Sequence, residues 1–217
     1  MKKLLLIILL IVGCSPITFS NIQSAKLVKK AKLEFTPSCS IGGLPPAYNF
    51  NYGIQMAYGL SEKQNLRFRL ERIIGGIDTD VNSDIDPGFA LFHYPVRFVL
   101  NHLSIGIKYQ LIKNKSALYL PLSFTKPDAD NTTAMKLFEP TYIRTFSSEN
   151  FEFNPSIKAL IPMSSKVANF LIAINLGLAS GRNLTRLAFR YEFGILFSPK
   201  HIKNAIPHIS IGCSISP

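Results

Sequence analysis

The sequence lacks a hydrophobic run long enough to cross a bilayer as a helix. Its longest apolar run, residues 4–12, has nine residues, whereas a membrane-spanning helix needs about 20. It also lacks tryptophan, and its 13 acidic residues are outnumbered by 24 lysines and arginines, giving a formal net charge of +11. Apolar residues make up 47% of the 217 positions. This composition excludes a disordered chain and predicts one domain with a substantial core.

The N-terminus has the pattern of an export signal. Lys2 and Lys3 precede the nine-residue apolar run, and Gly13 and Cys14 follow it. The ending "IVGC" resembles the lipobox of bacterial lipoproteins, in which the cysteine is diacylated and becomes the mature N-terminus. This resemblance implies a signal peptide over residues 1–13 and a lipid on Cys14. The alternative is an ordinary signal cleaved after Ser20, and both interpretations place the mature protein outside the cytoplasm.

Residues 14–47 are predicted to be the lipidated cysteine followed by a tether. Lysines at positions 26, 29, 30 and 32 follow no period, which is typical of a solvated linker, and "GGLPP" at 42–46 breaks any regular element. The domain proper is therefore expected to span residues 48–217.

From residue 48 onward, large apolar side chains recur at every second position. In "YNFNYGIQMAYG" at 48–59 they alternate with Asn, Gly, Gln and Ala. The same alternation recurs in segments 66–73, 103–111, 151–159, 170–178, 187–197 and 209–215. A period of two is that of a strand with one apolar face. Weaker stretches at 89–100, 117–124 and 134–146 bring the total to about ten strands, within a range of about 8 to 12.

Short turn-forming segments separate these strands, for example "SEKQN" at 61–65, "KNKS" at 113–116 and "SSEN" at 147–150. Strands joined by such turns must be antiparallel, because parallel strands need long crossovers. We therefore predict an all-β fold, an antiparallel up-and-down β-barrel. In this strand count the longest connections, 75–88 and 125–133, fall three turns apart and so at opposite ends of the barrel.

The second face of the predicted strands carries small residues rather than the long polar residues of a water-facing sheet. Glycine and alanine recur on it, with Asn, Gln and Ser between them, and its charges come in both signs. Small residues and paired charges suit the crowded inside of a narrow closed barrel. The predicted lumen charge network consists of Arg67, Arg69, Glu71, Lys108, Arg190 and Glu192. The apolar row is then expected to face outward, towards lipid.

The export signal, the alternating rows and a hairpin such as "YGLSEKQNLRFRL" together resemble bacterial outer-membrane β-barrel proteins, including small uncharacterised ones with a lipoprotein-type signal. The resemblance covers residues 48–217. It implies a location in the bacterial outer membrane, with outer-membrane lipid as the principal partner.

Two cysteines, Cys39 and Cys213, remain after the signal, in a compartment where disulfides persist. The first and last strands of a closed barrel are neighbours, so a Cys39–Cys213 disulfide is one interpretation. Two lone, buried thiols are the other.

One acidic loop has ligand-like spacing. Its oxygen-bearing residues occupy alternate positions: Asp78, Asp80, Asn82, Asp84 and Asp86. The pattern resembles the start of an EF-hand calcium loop, but Ser83 stands at the glycine position and Phe89 at the position of the closing glutamate. The alternatives are a calcium site and a solvated loop; no other cofactor is predicted.

No local catalytic motif occurs. The chain has no H-E-x-x-H, no G-x-S-x-G, no Walker loop and no G-x-G-x-x-G, and its four histidines have no metal-ligand spacing. The basic residues are scattered on an exported chain, which argues against nucleic acid and favours contact with lipopolysaccharide phosphates or with anionic solutes near a pore mouth. We therefore expect a protein without enzymatic activity.

Two functional hypotheses remain. The first is an outer-membrane barrel with a structural, adhesive or narrow-pore role. The second is a soluble periplasmic barrel or sandwich, anchored by the lipid on Cys14, that binds an apolar ligand or a partner protein.

Overall fold

The computed structural model describes residues 23–44, 47–77, 96–128, 134–163, 170–184, 186–199 and 201–216. Its strands are β1 (Leu33–Leu44), β2 (Ala47–Ser61), β3 (Gln64–Ile77), β4 (Val96–Ile112), β5 (Ser116–Pro127), β6 (Met135–Phe138), β7 (Thr141–Arg144), β8 (Phe146–Ser147), β9 (Phe151–Pro162), β10 (Leu171–Asn183), β11 (Leu187–Ser198) and β12 (His201–Ile215). No described segment forms a helix long and apolar enough to span a membrane.

The strands form one closed antiparallel barrel. Apart from the short strands β6, β7 and β8, each pairs with its neighbours along the chain, and β12 pairs with β1. Three short strands, β6, β7 and β8, share a single position in the wall between β5 and β9. Their interruption falls at Glu139 and Pro140, where proline cannot donate a ladder hydrogen bond. The wall therefore has ten strands, and the predicted up-and-down β-barrel is confirmed.

The structure differs from the sequence prediction in two strands, one gained and one lost, so the predicted total of ten is unchanged. Residues 33–44, assigned to the tether, form β1, because hydrogen bonding to β12 and β2 on both sides outweighs the strand-breaking tendency of Pro37. Conversely, the described part of stretch 89–100 and all of stretch 103–111 belong to one strand, β4, which continues through Asn101 and His102. The barrel thus begins at Leu33 rather than at residue 48.

This recount changes the positions of the loops. The turns at 62–63, 113–115, 148–150 and 184–186 lie at one end of the barrel, together with the end of β12; we call this the short-turn end. The connections after β3 and β5 are two turns apart and lie at the opposite end, which we call the long-loop end. The expectation that the longest connections lie at opposite ends is therefore wrong.

The apolar row faces outward and the small polar row faces inward. In β2, Phe50 and Tyr52 are 41% and 44% exposed, whereas Asn51 and Gln55 are 4% and 3% exposed. The same alternation runs along β9 and β11. The barrel is thus inverted relative to a water-soluble one, with its polar side chains in the lumen.

Residues 23–28, which we call the lumen segment, lie inside the barrel instead of forming part of a tether. Gln23, Ser24, Ala25 and Val28 are at most 8% exposed. The chain leaves at the short-turn end, where residue 30 forms a parallel bridge with Gly59 before β1 begins. The tether interpretation is therefore wrong for residues 23–44, while residues 14–22 lie outside the described part of the chain.

The two cysteines are free. Cys39 is exposed on the outer face, and Cys213 is half-buried. Cys39 is opposite Ile211 in the β1–β12 ladder, two positions out of register with Cys213. Neither the disulfide nor a pair of buried thiols describes them.

Candidate functional site: the charged lumen

The alternation of the strands places all six predicted lumen residues inside the barrel. Each is at most 8% exposed: Arg67, Arg69, Glu71, Lys108, Arg190 and Glu192. Arg69 and Glu71 are in direct ionic contact, at 3.8 Å, and the other four residues contact groups contributed by other parts of the chain. The lumen is better described as three layers.

The middle layer is centred on Glu139, the residue at the interruption between β6 and β7. Its carboxylate Oε2 accepts a hydrogen bond from Arg69 Nη2 at 3.0 Å and lies 3.5 Å from Lys158 Nζ. Its Oε1 lies 3.8 Å from His102 Nε2. We call these four residues, which come from β3, β4, the β6–β7 interruption and β9, the Glu139 centre. One buried carboxylate thus serves two cations, with a histidine beside them.

The contacts of His102 define its protonation. Its Nε2 lies 2.8 Å from Arg69 Nη2, and its Nδ1 lies 2.9 Å from Thr125 Oγ1. Because a guanidinium can only donate, Nε2 must be the acceptor and carries no proton. The ring is therefore the neutral Nδ1–H tautomer, which donates to Thr125. The fixed charges of the centre are those of Arg69, Lys158 and Glu139.

The layer nearest the short-turn end joins the lumen segment to the wall, and we call it the segment layer. Lys26 Nζ forms an ion pair with Glu152 at 2.8 Å, and Arg190 lies 3.8 Å from the same carboxylate. The fully buried ammonium of Lys108 donates to the backbone carbonyls of Ser24 and Lys26. The lumen segment therefore supplies acceptors that a lysine inside the wall needs.

Two further contacts fix the lumen segment. The backbone N–H of Ala25 donates to Thr145 Oγ1 at 2.7 Å, and Thr145 donates in turn to Asn154 at 2.6 Å. Gly59 packs directly against the chain leaving the lumen, since a β-carbon there would lie 2.0 Å from the carbonyl oxygen of Lys29. Only glycine fits this contact.

The layer nearest the long-loop end is apolar. Leu137, Leu160, Ala173 and Leu196 point inward and are at most 1% exposed, and three half-buried side chains pack against them: Met135, Leu171 and Ile206. These layers, together with further buried polar side chains such as Asn51 and Asn175, occupy the described interior of the barrel. This is the structure of a core rather than of a wide aqueous channel.

Several lumen residues were not predicted from the sequence. Glu152 and Lys158 occupy inward positions of a recognised alternating segment, so the signal was present. Glu139 keeps the inward phase of Leu137 and Thr141, but it precedes Pro140 in a stretch whose sequence alternation is weak. Lys26 looked like part of a linker. His208, 3.5 Å from Glu192, lies in the part of β12 that precedes the recognised segment.

The remaining predicted site residues lie outside the described residues. These are the lipidation candidate Cys14 and the calcium-loop candidates Asp78, Asp80, Asn82, Asp84 and Asp86. Within the described ranges, no group of three or more His, Cys, Asp or Glu side chains is arranged to hold a metal ion.

No family model matches the chain, and no curated protein matches it. Similar solved structures include the outer membrane protease OmpT from Escherichia coli, at 7% identity and a TM-score of 0.44, covering 86% of this chain and 95% of that one. The translocator domain of the autotransporter NalP from Neisseria meningitidis is 9% identical, with a TM-score of 0.43 and coverage of 85% and 88%. The N-terminal β-barrel domain of Pseudomonas aeruginosa OprF is 10% identical, with a TM-score of 0.32 and coverage of 87% and 98%. Likenesses of this size carry no functional argument, which must come from the chain's own geometry.

Proposed function

We propose that the protein is an integral β-barrel of the bacterial outer membrane, with a structural or adhesive role and no enzymatic activity. The observation that carries this proposal is the inverted barrel. Rows of large apolar side chains cover the outside, and charged residues fill the lumen. In water such a surface would far exceed the apolar patches of about 300–600 Å² found on soluble monomers. Against lipid it is the stable arrangement.

The backbone supports the same proposal. A closed barrel satisfies every ladder hydrogen bond within the wall, as a bilayer demands. Ten is an even number of strands, and the main strands, of 12 to 17 residues, exceed the roughly 9–11 residues that a tilted strand needs to cross. Short turns at one end and longer connections at the other match the usual orientation of such barrels. By that rule the short-turn end faces the periplasm.

The packed lumen favours a structural or adhesive role over conduction. The Glu139 centre and the apolar layer are built from the wall itself, and the lumen segment occupies the remaining layer. An adhesive role would reside in the connections at the long-loop end, which by the same orientation rule face outward.

The test separates an integral barrel from a lipid-anchored soluble protein by removing the lipidation candidate. We expect a Cys14→Ala protein to remain in the membrane fraction after a high-pH wash, to require detergent for extraction and to migrate faster on a gel when unheated than when boiled. Heat-modifiable migration also shows that the variant has folded. Recovery of this variant as a water-soluble monomer would overturn the proposal and favour the anchored alternative.

A further inference from the structure

Four neighbouring polar side chains interrupt the apolar outer face in the described part of the barrel. Arg72 on β3, Asn101 on β4 and Lys126 on β5 point outward, and the ladder places Arg72 opposite Asn101 and Asn101 opposite Lys126. Lys136 on β6 is exposed next to Phe124, on the strand beside Lys126. These four residues form a polar row across four consecutive strands towards the long-loop end. We call it the basic row.

The rest of the outer face differs from this row. Within the described side chains, the outward positions of β1, β2, β9, β10, β11 and β12 carry no lysine, arginine, aspartate or glutamate. Among the described side chains, the outward-facing charges of the wall thus lie on β3, β5, β6 and β7, and those towards the long-loop end belong to the basic row.

An apolar row lies directly beside the basic row, one alternate position further into the belt. Leu70 is opposite Leu103, and Leu103 is opposite Phe124, all on the outer face. The apolar row, together with Arg72, Asn101 and Lys126 of the basic row, lines a groove of about 1070 Å³ that continues past Tyr52 and Cys39 to Ile211. Long basic side chains can keep their charges at the interface while their stems lie on apolar surface. The arrangement thus offers cations at its outer edge and an acyl-sized apolar surface below them.

The basic row retains uncompensated positive charge. Arg72 Nη2 lies 2.9 Å from Asp128 Oδ2, and Asn101 Nδ2 lies 3.4 Å from Asp128 Oδ1. The Arg72–Asp128 pair is about half exposed on both sides, so a stronger anion can displace it. Among the described residues, Lys126 and Lys136 form no ion pair.

From this geometry we propose that the basic row binds the phosphate groups of lipopolysaccharide, with acyl chains lying in the adjoining groove. The inference rests on the proposed outer-membrane location, because the orientation rule places the long-loop end at the outer leaflet. Arginine supplies a planar pair of donors for phosphate, lysines supply point charges, and Asn101 adds an amide donor. A phospholipid headgroup is the competing ligand, and the test below distinguishes it.

The test uses the full-length protein in detergent, with native mass spectrometry or a native gel shift as the readout. The probes are purified lipopolysaccharide, the same lipopolysaccharide after enzymatic dephosphorylation, and phosphatidylglycerol. The test variant is Arg72→Gln/Lys126→Gln/Lys136→Gln. The matched control is Lys113→Gln/Lys115→Gln/Arg144→Gln, which removes three exposed cations near the short-turn end.

We expect the test variant to bind lipopolysaccharide about a hundredfold more weakly than the natural sequence, since each cation near an anionic lipid surface adds a similar increment of affinity. The control variant should bind lipopolysaccharide as tightly as the natural sequence does. The natural sequence should bind dephosphorylated lipopolysaccharide about as weakly as the test variant binds intact lipopolysaccharide. Equal binding by test and control variants, or equal affinity for phosphatidylglycerol, would overturn the inference. Heat-modifiable migration of each protein is measured in parallel. If the natural sequence lacks this behaviour, the membrane-barrel proposal itself has failed, and this result is distinct from a failure of the lipopolysaccharide inference.

Discussion

The Glu139 centre and the segment layer solve the same problem, the burial of charge in a narrow lumen, in two ways. In the Glu139 centre, every charged partner comes from the wall, so closing the barrel brings Arg69 and Lys158 to Glu139. In the segment layer, Lys108 and Glu152 obtain partners from a stretch of chain that is not part of the wall. The first arrangement depends only on strand register. The second also requires the lumen segment to be present inside the barrel.

Removing the shared carboxylate should have the largest effect. Glu139→Leu removes the carboxylate that Arg69 and Lys158 share in a buried site, and we expect a loss of about 3–5 kcal/mol in the free energy of unfolding. The measurement is the urea midpoint of the fast-migrating folded band in detergent micelles. Glu139→Gln keeps the shape of the side chain and distinguishes loss of charge from loss of packing. The matched control, Glu149→Gln in an exposed turn, should leave the midpoint unchanged, and equal midpoints for the Glu139 and Glu149 variants would contradict the description of the centre.

Crowding Gly59 should affect the segment layer and spare the Glu139 centre. Gly59→Val places side-chain atoms where the backbone of Lys29 lies, so the lumen segment must move, at a cost of about 1–3 kcal/mol. The readout is a single cysteine at Ala25, which is fully buried in the natural sequence, in a background with Cys14, Cys39 and Cys213 replaced by serine.

We expect a water-soluble maleimide to label this cysteine in the Gly59→Val protein and not in the parent. The matched control is Gly177→Ala on the inward face of β10, where an added β-carbon would lie 3.1 Å from its nearest neighbour. Protection of position 25 in the Gly59→Val protein would show that the lumen segment is not seated against Gly59.

Replacing the lysine of the lumen segment should have the smallest effect. Lys26→Met removes one partner of Glu152, but Arg190 stays beside that carboxylate and Lys26 is 30% exposed. We expect a destabilisation of about 1 kcal/mol or less in the urea titration. Lys158→Met in the Glu139 centre is the comparison, because Lys158 is almost fully buried. An equal or larger loss at Lys26 would reverse the ranking of the two regions.

The strand period explains which parts of this lumen were predictable. Whether a side chain points inward depends only on alternation within its own strand, so Arg67, Lys108 and Arg190 could be assigned to the lumen from local sequence. The contact partners of these residues could not be predicted in the same way. They depend on closure and register across the whole barrel, which no local pattern encodes, and so partners such as Glu152 and His208 were not predicted.

The unpredicted elements share a different cause. Pro37 in β1 and Pro140 after Glu139 interrupt the local pattern. Pairing with β2 and β12 overrides the influence of Pro37, whereas Pro140 leaves a gap between β6 and β7. The lumen segment has the composition of a linker, and its burial follows from wall groups that need partners. The sequence prediction divided β4 into two strands and omitted β1, so its total of ten strands was right. The same two errors placed the two longest loops at opposite ends of the barrel instead of at the same end.

The account as a whole depends on which face of the wall contacts lipid. Spin labels placed one at a time at positions 187–197 of β11, in a cysteine-free protein in lipid vesicles, measure this for each residue. We predict that collision with dissolved oxygen, which concentrates in the bilayer, peaks at every odd position, including Phe189, Tyr191 and Phe193, and falls at the even positions between them. Strong relaxation of the odd-position labels by a water-soluble nickel complex, without an oxygen maximum, would contradict the account.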